Sequence, residues 1–339
     1  MNNQPKRPVR KNTSRPQGSG GGNFALFAAI IIAVLALVNY KIFSMIITDN
    51  PTPIIINNNT SQTQTQTEKE PVDPFDEELA RDFTTITVNS SDTKAGNLVL
   101  VNNTHAFDFD ASPLVVKKQE PVSIGSHKSN NYYVSYNTET LTLEAIEAFN
   151  KLTEDFVAQS GHRDLIILDS IRTLEDQQRI LETKGTEIAT NPGCSEHHTG
   201  LAFDLSLYIN GIINDFDGTG DYEWILNNCH KYGYILRYPA DKTEITGITY
   251  EPWHLRYVGK AHACFMKQNN ICLEEYIELL SRFPIKSSRL QFTTFDGEQY
   301  MIYSQPVSSD TAAVYVPKNY EYTLSGDNDG RVIVTCKIS

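Results

Sequence analysis

Two short stretches, residues 195–204 and 251–254, constrain this chain more than any other feature, because together they carry a complete set of metal ligands. The first reads SEHHTGLAFD and the second reads EPWH. A zinc ion used for hydrolysis takes three His, Asp, Glu or Cys ligands and leaves a fourth position for water. His197, Asp204 and His254 would supply the three. We therefore predict a zinc centre that brings two distant segments together.

Glu251 precedes a proline, and this limits the backbone geometry of the second stretch. The residue before proline is disfavoured in the α conformation, so the helical His-Glu-x-x-His arrangement is excluded here. Glu251 would instead act from an extended or turn segment, as the base that takes a proton from the attacking water. Pro252 is suited to open a helix, which we place over residues 253–264. For residues 195–204 the pattern favours a turn followed by a strand.

Arg172 follows an apolar run, residues 165–168, that predicts a buried strand. Functional side chains are often placed at the ends of such elements. In a zinc hydrolase this guanidinium would stabilise the oxyanion. The alternative, a surface arginine or one paired with Asp169, stays open from the sequence.

The N-terminal region predicts a membrane anchor. Residues 1–22 contain five basic and no acidic residues, and residues 23–47 are almost entirely apolar. This predicts a basic cytoplasmic tail and a transmembrane helix, with the rest of the chain outside the cell membrane. A cleaved signal peptide is the alternative. Residues 48–74 are rich in Asn, Ser, Thr and Gln and predict a flexible linker.

Charge and cysteine content exclude other classes of protein. Beyond residue 22 the chain has 24 basic against 41 acidic residues, which argues against a nucleic-acid partner. The five cysteines are few, odd in number and form no Cys-x-x-Cys pair, so they do not indicate a disulfide framework.

Residues 75–282 mix helical and strand patterns and predict an α+β domain with a small antiparallel sheet and flanking helices. Apolar periodicity predicts helices over residues 75–81, 141–159, 174–182 and 222–232, with Thr140 as a cap of the second. Strands are predicted at residues 84–88, 98–102, 165–168, 203–207, 234–238 and 245–250.

Residues 283–339 alternate apolar and polar side chains between turn signals. The pattern predicts a small all-β appendage, with strands at residues 299–303, 313–316, 320–324 and 331–335. It contains no metal or nucleophile motif. Two alternatives remain equal for this appendage. It could have a packing or cell-wall interaction role, or it could only shield part of the catalytic domain from solvent.

Four blocks of sequence resemble one known family. Residues 169–172 with Gln177, then residues 192–204, 233–239 and 245–259, occur in the order found in VanY-type D-alanyl-D-alanine carboxypeptidases, which are zinc peptidases of the LAS type. The resemblance covers roughly residues 90–280. Departures occur at Cys194 and His198, where an aromatic residue and a glutamine are more usual. Both lie beside a ligand position and not at one.

The resemblance implies an α+β zinc peptidase that removes the terminal D-alanine from peptidoglycan stem peptides. It implies zinc ligands at His197, Asp204 and His254, a general base at Glu251 and a carbonyl-polarising arginine at Arg172. Three further positions resemble those that line the substrate: Ser170, Gln177 and Ser195.

Two alternatives to a carboxypeptidase remain at this point. One is a peptidoglycan endopeptidase or D,D-dipeptidase on the same zinc framework, because specificity depends on loops that the sequence does not position. The other is a non-catalytic wall-binding protein. The complete set of ligands, base and arginine argues against the latter, because loss of catalysis would most simply appear as a missing base or ligand.

Overall fold

The computed structural model describes residues 74–117, 120–136, 138–185 and 190–339. The predicted tail, transmembrane helix and linker, residues 1–22, 23–47 and 48–74, lie outside this range except for the last residue of the linker. None of the helices in the described ranges has the length and apolar character needed to cross a bilayer. One compact unit, Lys69–Ser339, contains all of the described residues.

The first half of this unit mixes helices and strands. In chain order its elements are α1 (Pro74–Asp82), β1 (Phe83–Asn89), β2 (Val122–Ser123), α2 (Ile124–His127), β3 (Tyr133–Val134), β4 (Thr140–Leu141), α3 (Leu143–Ser160), β5 (Leu165–Asp169), α4 (Leu174–Lys184), β6 (Ala202–Ile209) and β7 (Ile212–Asp215).

The second half continues the mixture and then ends in strands. Its elements are α5 (Glu223–Asn228), β8 (Tyr234–Leu236), α6 (Thr243–Thr246), β9 (His254–Tyr257), α7 (Lys260–Asn269), α8 (Leu273–Leu280), β10 (Leu290–Thr293), β11 (Gln299–Pro306), β12 (Thr311–Pro317), β13 (Tyr322–Gly326) and β14 (Arg331–Lys337). Short 3₁₀ turns occupy Ser90–Lys94, Glu196–Thr199, Gly220–Tyr222, Cys229–Tyr232 and Ala240–Lys242.

A six-stranded sheet with the order β3-β5-β6-β9-β8, and with β7 added to β6, forms the frame of the structure. Its pairings are antiparallel except that of β3 with β5. The β6–β9 register sets Asp204 opposite His254, and the β5–β6 register sets Asp169 opposite Asp204. Strand pairing thus brings three polar residues from distant parts of the chain side by side.

Helix α3 covers one face of this sheet, as its apolar periodicity predicts. Phe149 is fully buried and packs edge-on against Phe203 of β6. The helix begins two residues later than predicted, because the hydroxyl of Thr142 accepts from the amide of Ala145 and caps it. Thr140, the predicted cap, lies in β4. The confirmed α+β class therefore rests on one sheet and its flanking helices.

Three predicted elements are wrong. Residues 98–101 are buried, but residues 98–102 do not form a strand. The amides of Leu98 and Leu100 bond instead to Ser325 Oγ and to the carbonyl of Asp327. Residues 245–250 contain the end of α6 and a turn, with Gly247 in the left-handed conformation. The helix predicted over residues 253–264 is instead β9 followed by α7. Pairing of β9 with β6 and β8 outweighs the local preference that Pro252 suggested.

The four predicted strands after residue 283 are present as β11 to β14. Three of them join β10, which was not predicted, in a four-stranded sheet with the order β10-β11-β14-β13, while β12 pairs with β1. Leu290, Ile302 and Ile333 of these strands share a buried cluster with residues of α7 and α8. The C-terminal strands therefore belong to the same compact unit as the central sheet.

Truncating Phe149 tests the packing of α3 on the sheet. We expect Phe149→Ala to lower the free energy of unfolding by about 3–5 kcal/mol, because the ring is fully buried against Tyr132, Phe203 and Tyr234. Leu143→Ala, at an exposed position of the same helix, should cost less than about 0.5 kcal/mol. Denaturant unfolding measures both. Equal losses for the two variants would contradict this packing.

Candidate active site

Three elements position the predicted metal ligands. His197 lies in the 3₁₀ turn Glu196–Thr199, Asp204 in β6 and His254 at the start of β9. One potential ligand atom from each lies within 4.8 Å of the others. Asp204 Oδ1 is 3.6 Å from His197 Nε2 and 2.9 Å from His254 Nδ1. Tetrahedral zinc ligands with bonds of about 2.0–2.1 Å lie roughly 3.3 Å apart, so the spacing fits this ion.

Hydrogen bonding behind His197 supports this assignment. His197 Nδ1 donates to the carbonyl oxygen of Ser170 at 2.6 Å, so its Nε2 keeps a lone pair facing Asp204. A second bond that fixes the ring in this way is a general property of metal-binding histidines. The chemistry of the donor set, two imidazoles and one carboxylate, is that of a hydrolytic zinc site.

The charges around the three residues favour a cation between them. Burial opposes ionisation of Asp204, but His197 and His254 hold its pKa well below the usual range. Burial likewise opposes protonation of His254, yet its hydrogen bond to Asp204 and the negative charge of nearby Glu196 raise its pKa to about 9. The carboxylates of Asp204 and Glu196 thus stabilise positive charge among the three clustered residues.

Glu251 lies at the rim of the three-residue cluster. Its Oε2 is 3.9 Å from His254 Nδ1, and its amide donates to the carbonyl of Tyr238 at 3.1 Å, which holds the segment beside β8. Burial raises the pKa of Glu251, while the nearby His254 opposes that rise. A carboxylate of raised pKa beside a group of candidate metal ligands is suited to exchange protons with a reacting water.

Arg172 approaches the cluster from the turn after β5. Its Nε and Nη2 donate to Asp169, its Nη1 donates to Gln177 Oε1 at 3.2 Å, and Nη2 lies 3.7 Å from Asp204 Oδ2. The pairing with Asp169 that the sequence left open is therefore present. A guanidinium has five N–H groups, so these bonds leave some of its donors for a ligand.

A cavity of about 160 Å³ joins these groups. Its lining includes Arg172, Gln177, Ser195, Glu251 and the three clustered residues. Gln177 is nearly fully buried, and its Nε2 donates to the carbonyl of Thr190 at 2.8 Å.

Ser170, the third position predicted to line the substrate, is placed differently. It is fully buried, and its hydroxyl donates to the carboxylate of Glu139. Its carbonyl oxygen accepts the bond from His197. Ser170 therefore supports a candidate ligand through its carbonyl oxygen, and it is not among the residues that line the cavity.

Sequence reasoning missed a buried group of charges beside the cluster. Glu196, Arg237 and Arg256 are almost completely buried, and Glu196 pairs with both arginines. A second carboxylate, Glu274 of α8, pairs with Arg237 at 2.6 Å. Two signals were available. Glu196 precedes His197 and Arg256 lies two residues after His254. In addition, Glu196, Arg237 and Arg256 all lie within the blocks that resemble the VanY-type family.

Comparisons with known proteins match this chain to one family. The VanY family model, D-alanyl-D-alanine carboxypeptidase, matches residues 138–260. A D-alanyl-D-alanine carboxypeptidase of Enterococcus faecium is 34% identical over 251 residues, which span 74% of this chain and 78% of that relative. The bifunctional D-Ala-D-Ala dipeptidase and D-Ala-D-Ala carboxypeptidase VanXYC of Enterococcus gallinarum is 37% identical over 145 residues, 39% of this chain and 76% of that protein.

A solved structure agrees with the sequence matches. The vancomycin resistance D,D-dipeptidase VanXYg, in complex with a D-Ala-D-Ala phosphinate analog, superposes with a TM-score of 0.64 at 28% identity. The alignment covers 75% of this chain and 99% of that one. Fold and relatives together define an enzyme of the carboxypeptidase class. The chain belongs to the VanY-type D-alanyl-D-alanine carboxypeptidase family, which confirms the resemblance found in its motifs.

Proposed function

We propose that the chain is a zinc-dependent D-alanyl-D-alanine carboxypeptidase that removes the terminal D-alanine from peptidoglycan stem peptides. One observation carries this proposal: His197, Asp204 and His254 converge, with Glu251 and Arg172, on one cavity. Membership of the VanY-type family supports the same substrate class.

The roles of the residues follow from their positions. Zinc held by His197, Asp204 and His254 supplies a Lewis acid and lowers the pKa of water. Glu251, at the rim of the cluster, takes the proton of the attacking water and passes it to the leaving amine. Arg172 donates to the carbonyl oxygen of the scissile bond and stabilises its negative charge. Asp169 and Gln177 hold that guanidinium in place.

We further propose that the enzyme is anchored in the cell membrane by residues 23–47. The basic tail before this apolar run supports a cytoplasmic N terminus. The catalytic unit would then lie outside, where peptidoglycan is found, and residues 48–74 would give it reach above the membrane.

The proposed activity is tested with the purified full-length protein and a synthetic stem pentapeptide ending in D-Ala-D-Ala. We expect release of one D-alanine, followed by mass spectrometry, in the presence of zinc. Removal of the metal with a chelator should abolish release, and added zinc should restore it, because the metal supplies the Lewis acid. Absence of zinc-dependent release from any stem peptide would rule the proposal out.

A D,D-dipeptidase is the second candidate, and the superposition with a D,D-dipeptidase over 99% of its length favours it. The same preparation distinguishes the two activities when it is given free D-Ala-D-Ala in place of the pentapeptide. Hydrolysis of the dipeptide with a kcat/KM above that for the pentapeptide would identify a dipeptidase. A higher kcat/KM for the pentapeptide supports the carboxypeptidase.

A further inference from the structure

Glu196 is a buried carboxylate placed between two arginines and a metal-ligand histidine. Its Oε1 accepts from Arg237 Nε at 2.7 Å and from Arg256 Nη1 at 2.8 Å. Its Oε2 has no hydrogen-bond partner among the described residues, and neither has His254 Nε2. These two atoms lie 3.6 Å apart. The gap is about 0.4 Å longer than the upper limit of normal N–H···O distances, so the two atoms must move together before a bond forms.

We propose that Glu196 is a positioning residue that sets the tautomer of His254. Nδ1 of His254 hydrogen-bonds to Asp204 Oδ1 at 2.9 Å. With the ring proton kept on Nε2 and directed at Glu196 Oε2, Nδ1 would give up its own proton and offer its lone pair to the metal. A carboxylate behind a metal-binding histidine fixes the orientation of the ring and strengthens it as a ligand. This inference rests on the zinc site of the proposed function and adds a residue that is not itself a ligand.

The two arginines fix which oxygen of Glu196 faces His254. Arg256 also donates to the backbone carbonyls of Asn97 and Val99, at 3.0 and 2.9 Å, so it cannot follow a rotating carboxylate. Arg237 is held in turn by two bonds to Glu274. Two carboxylates therefore balance two guanidinium groups, as buried charges require.

Glutamine at position 196 would reverse the tautomer. Its single oxygen must face Arg237 and Arg256, because they have only donors to offer. The amide nitrogen then faces His254 Nε2 and donates to it. His254 must place its own proton on Nδ1, the atom that has to bind the metal.

The test measures zinc affinity of the full-length protein by competition with a chromophoric chelator. We expect Glu196→Gln to weaken zinc binding by about 10- to 100-fold. Glu274→Gln is the matched control, because it removes one charge from the same buried cluster and has no contact with His254. Its effect should be at least about tenfold smaller. Equal weakening by both variants would overturn the proposal, since net charge alone would then explain the loss.

A second measurement needs no variant. In the zinc-loaded wild-type protein, ¹⁵N NMR of the histidine rings should show the proton of His254 on Nε2. A proton on Nδ1 with zinc on Nε2 would overturn the proposal, as would a wild-type protein that binds no zinc. Zinc binding with the expected tautomer but without D-alanine release would contradict the proposed activity and leave the role of Glu196 supported.

Discussion

Glu251→Gln is expected to lower kcat for D-alanine release by about 10²–10⁴-fold while zinc affinity stays close to that of the wild type. Glutamine keeps the size of the side chain but cannot accept a proton at neutral pH. The carboxylate lies 3.9 Å from His254 Nδ1, at the edge of the three clustered residues and not between them. The loss should therefore fall on proton transfer and not on metal binding.

Steady-state kinetics and chelator competition on the same preparation separate the two properties. Glu244→Gln is a suitable control, because this exposed glutamate lies on α6, seven residues before Glu251, and does not line the cavity. It should keep wild-type kcat and KM. If Glu251→Gln instead releases zinc, the glutamate is a ligand and the assignment of the base is wrong.

The grouping of the three proposed metal ligands was predictable from the sequence because their chemistry is distinctive. Two imidazoles and a carboxylate near a glutamate are typical of a catalytic zinc site. Such a motif can be recognised without knowledge of the surrounding fold. The proline after Glu251 also correctly indicated a non-helical segment. The register that sets Asp204 opposite His254 was not predictable, because it depends on pairing between strands about 50 residues apart.

Local patterns failed where distant contacts decide the conformation. The apolar residues 98–102 suggested a strand, yet their amides bond to loop and side-chain acceptors of the C-terminal strands. The proline at 252 suggested a helix, yet the following residues pair on both sides with other strands. The sequence of either segment alone does not identify the hydrogen-bond acceptors of residues 98–102 or the strands that pair with β9.

The buried charges show a second limit of sequence reasoning. Glu196, Arg237 and Arg256 look like ordinary surface residues in the sequence, because charged side chains are mostly exposed. Their burial follows from mutual pairing between three segments that the sheet brings together. The position of Glu196 next to a proposed metal ligand was only a weak indication that it is buried. Its pairing with Arg237 and Arg256 could be found only from the fold.

Arg172→Ala is expected to lower kcat by about 10²–10³-fold, the usual cost of removing one donor to a developing oxyanion. Arg172 reaches within 3.7 Å of Asp204, and its bonds to Asp169 and Gln177 aim it at the cavity before substrate binds. Because it is not among the clustered ligands, zinc affinity should change little. Arg172→Lys keeps the charge but loses the planar fork, so it should recover only part of the lost rate.

Kinetics with the stem pentapeptide decide between the predicted oxyanion role of Arg172 and a role in pairing with Asp169 alone, and they also separate transition-state contacts from ordinary substrate binding. Loss of kcat with little change in KM would indicate a contact made in the transition state, whereas a rise in KM alone would indicate ordinary substrate binding. Arg179→Ala is the matched control, because it breaks an exposed ion pair between Arg179 and Asp176, both on α4. It should leave kcat and KM unchanged. Full activity in Arg172→Ala would mean that the arginine only pairs with Asp169, and that the oxyanion is stabilised by other groups.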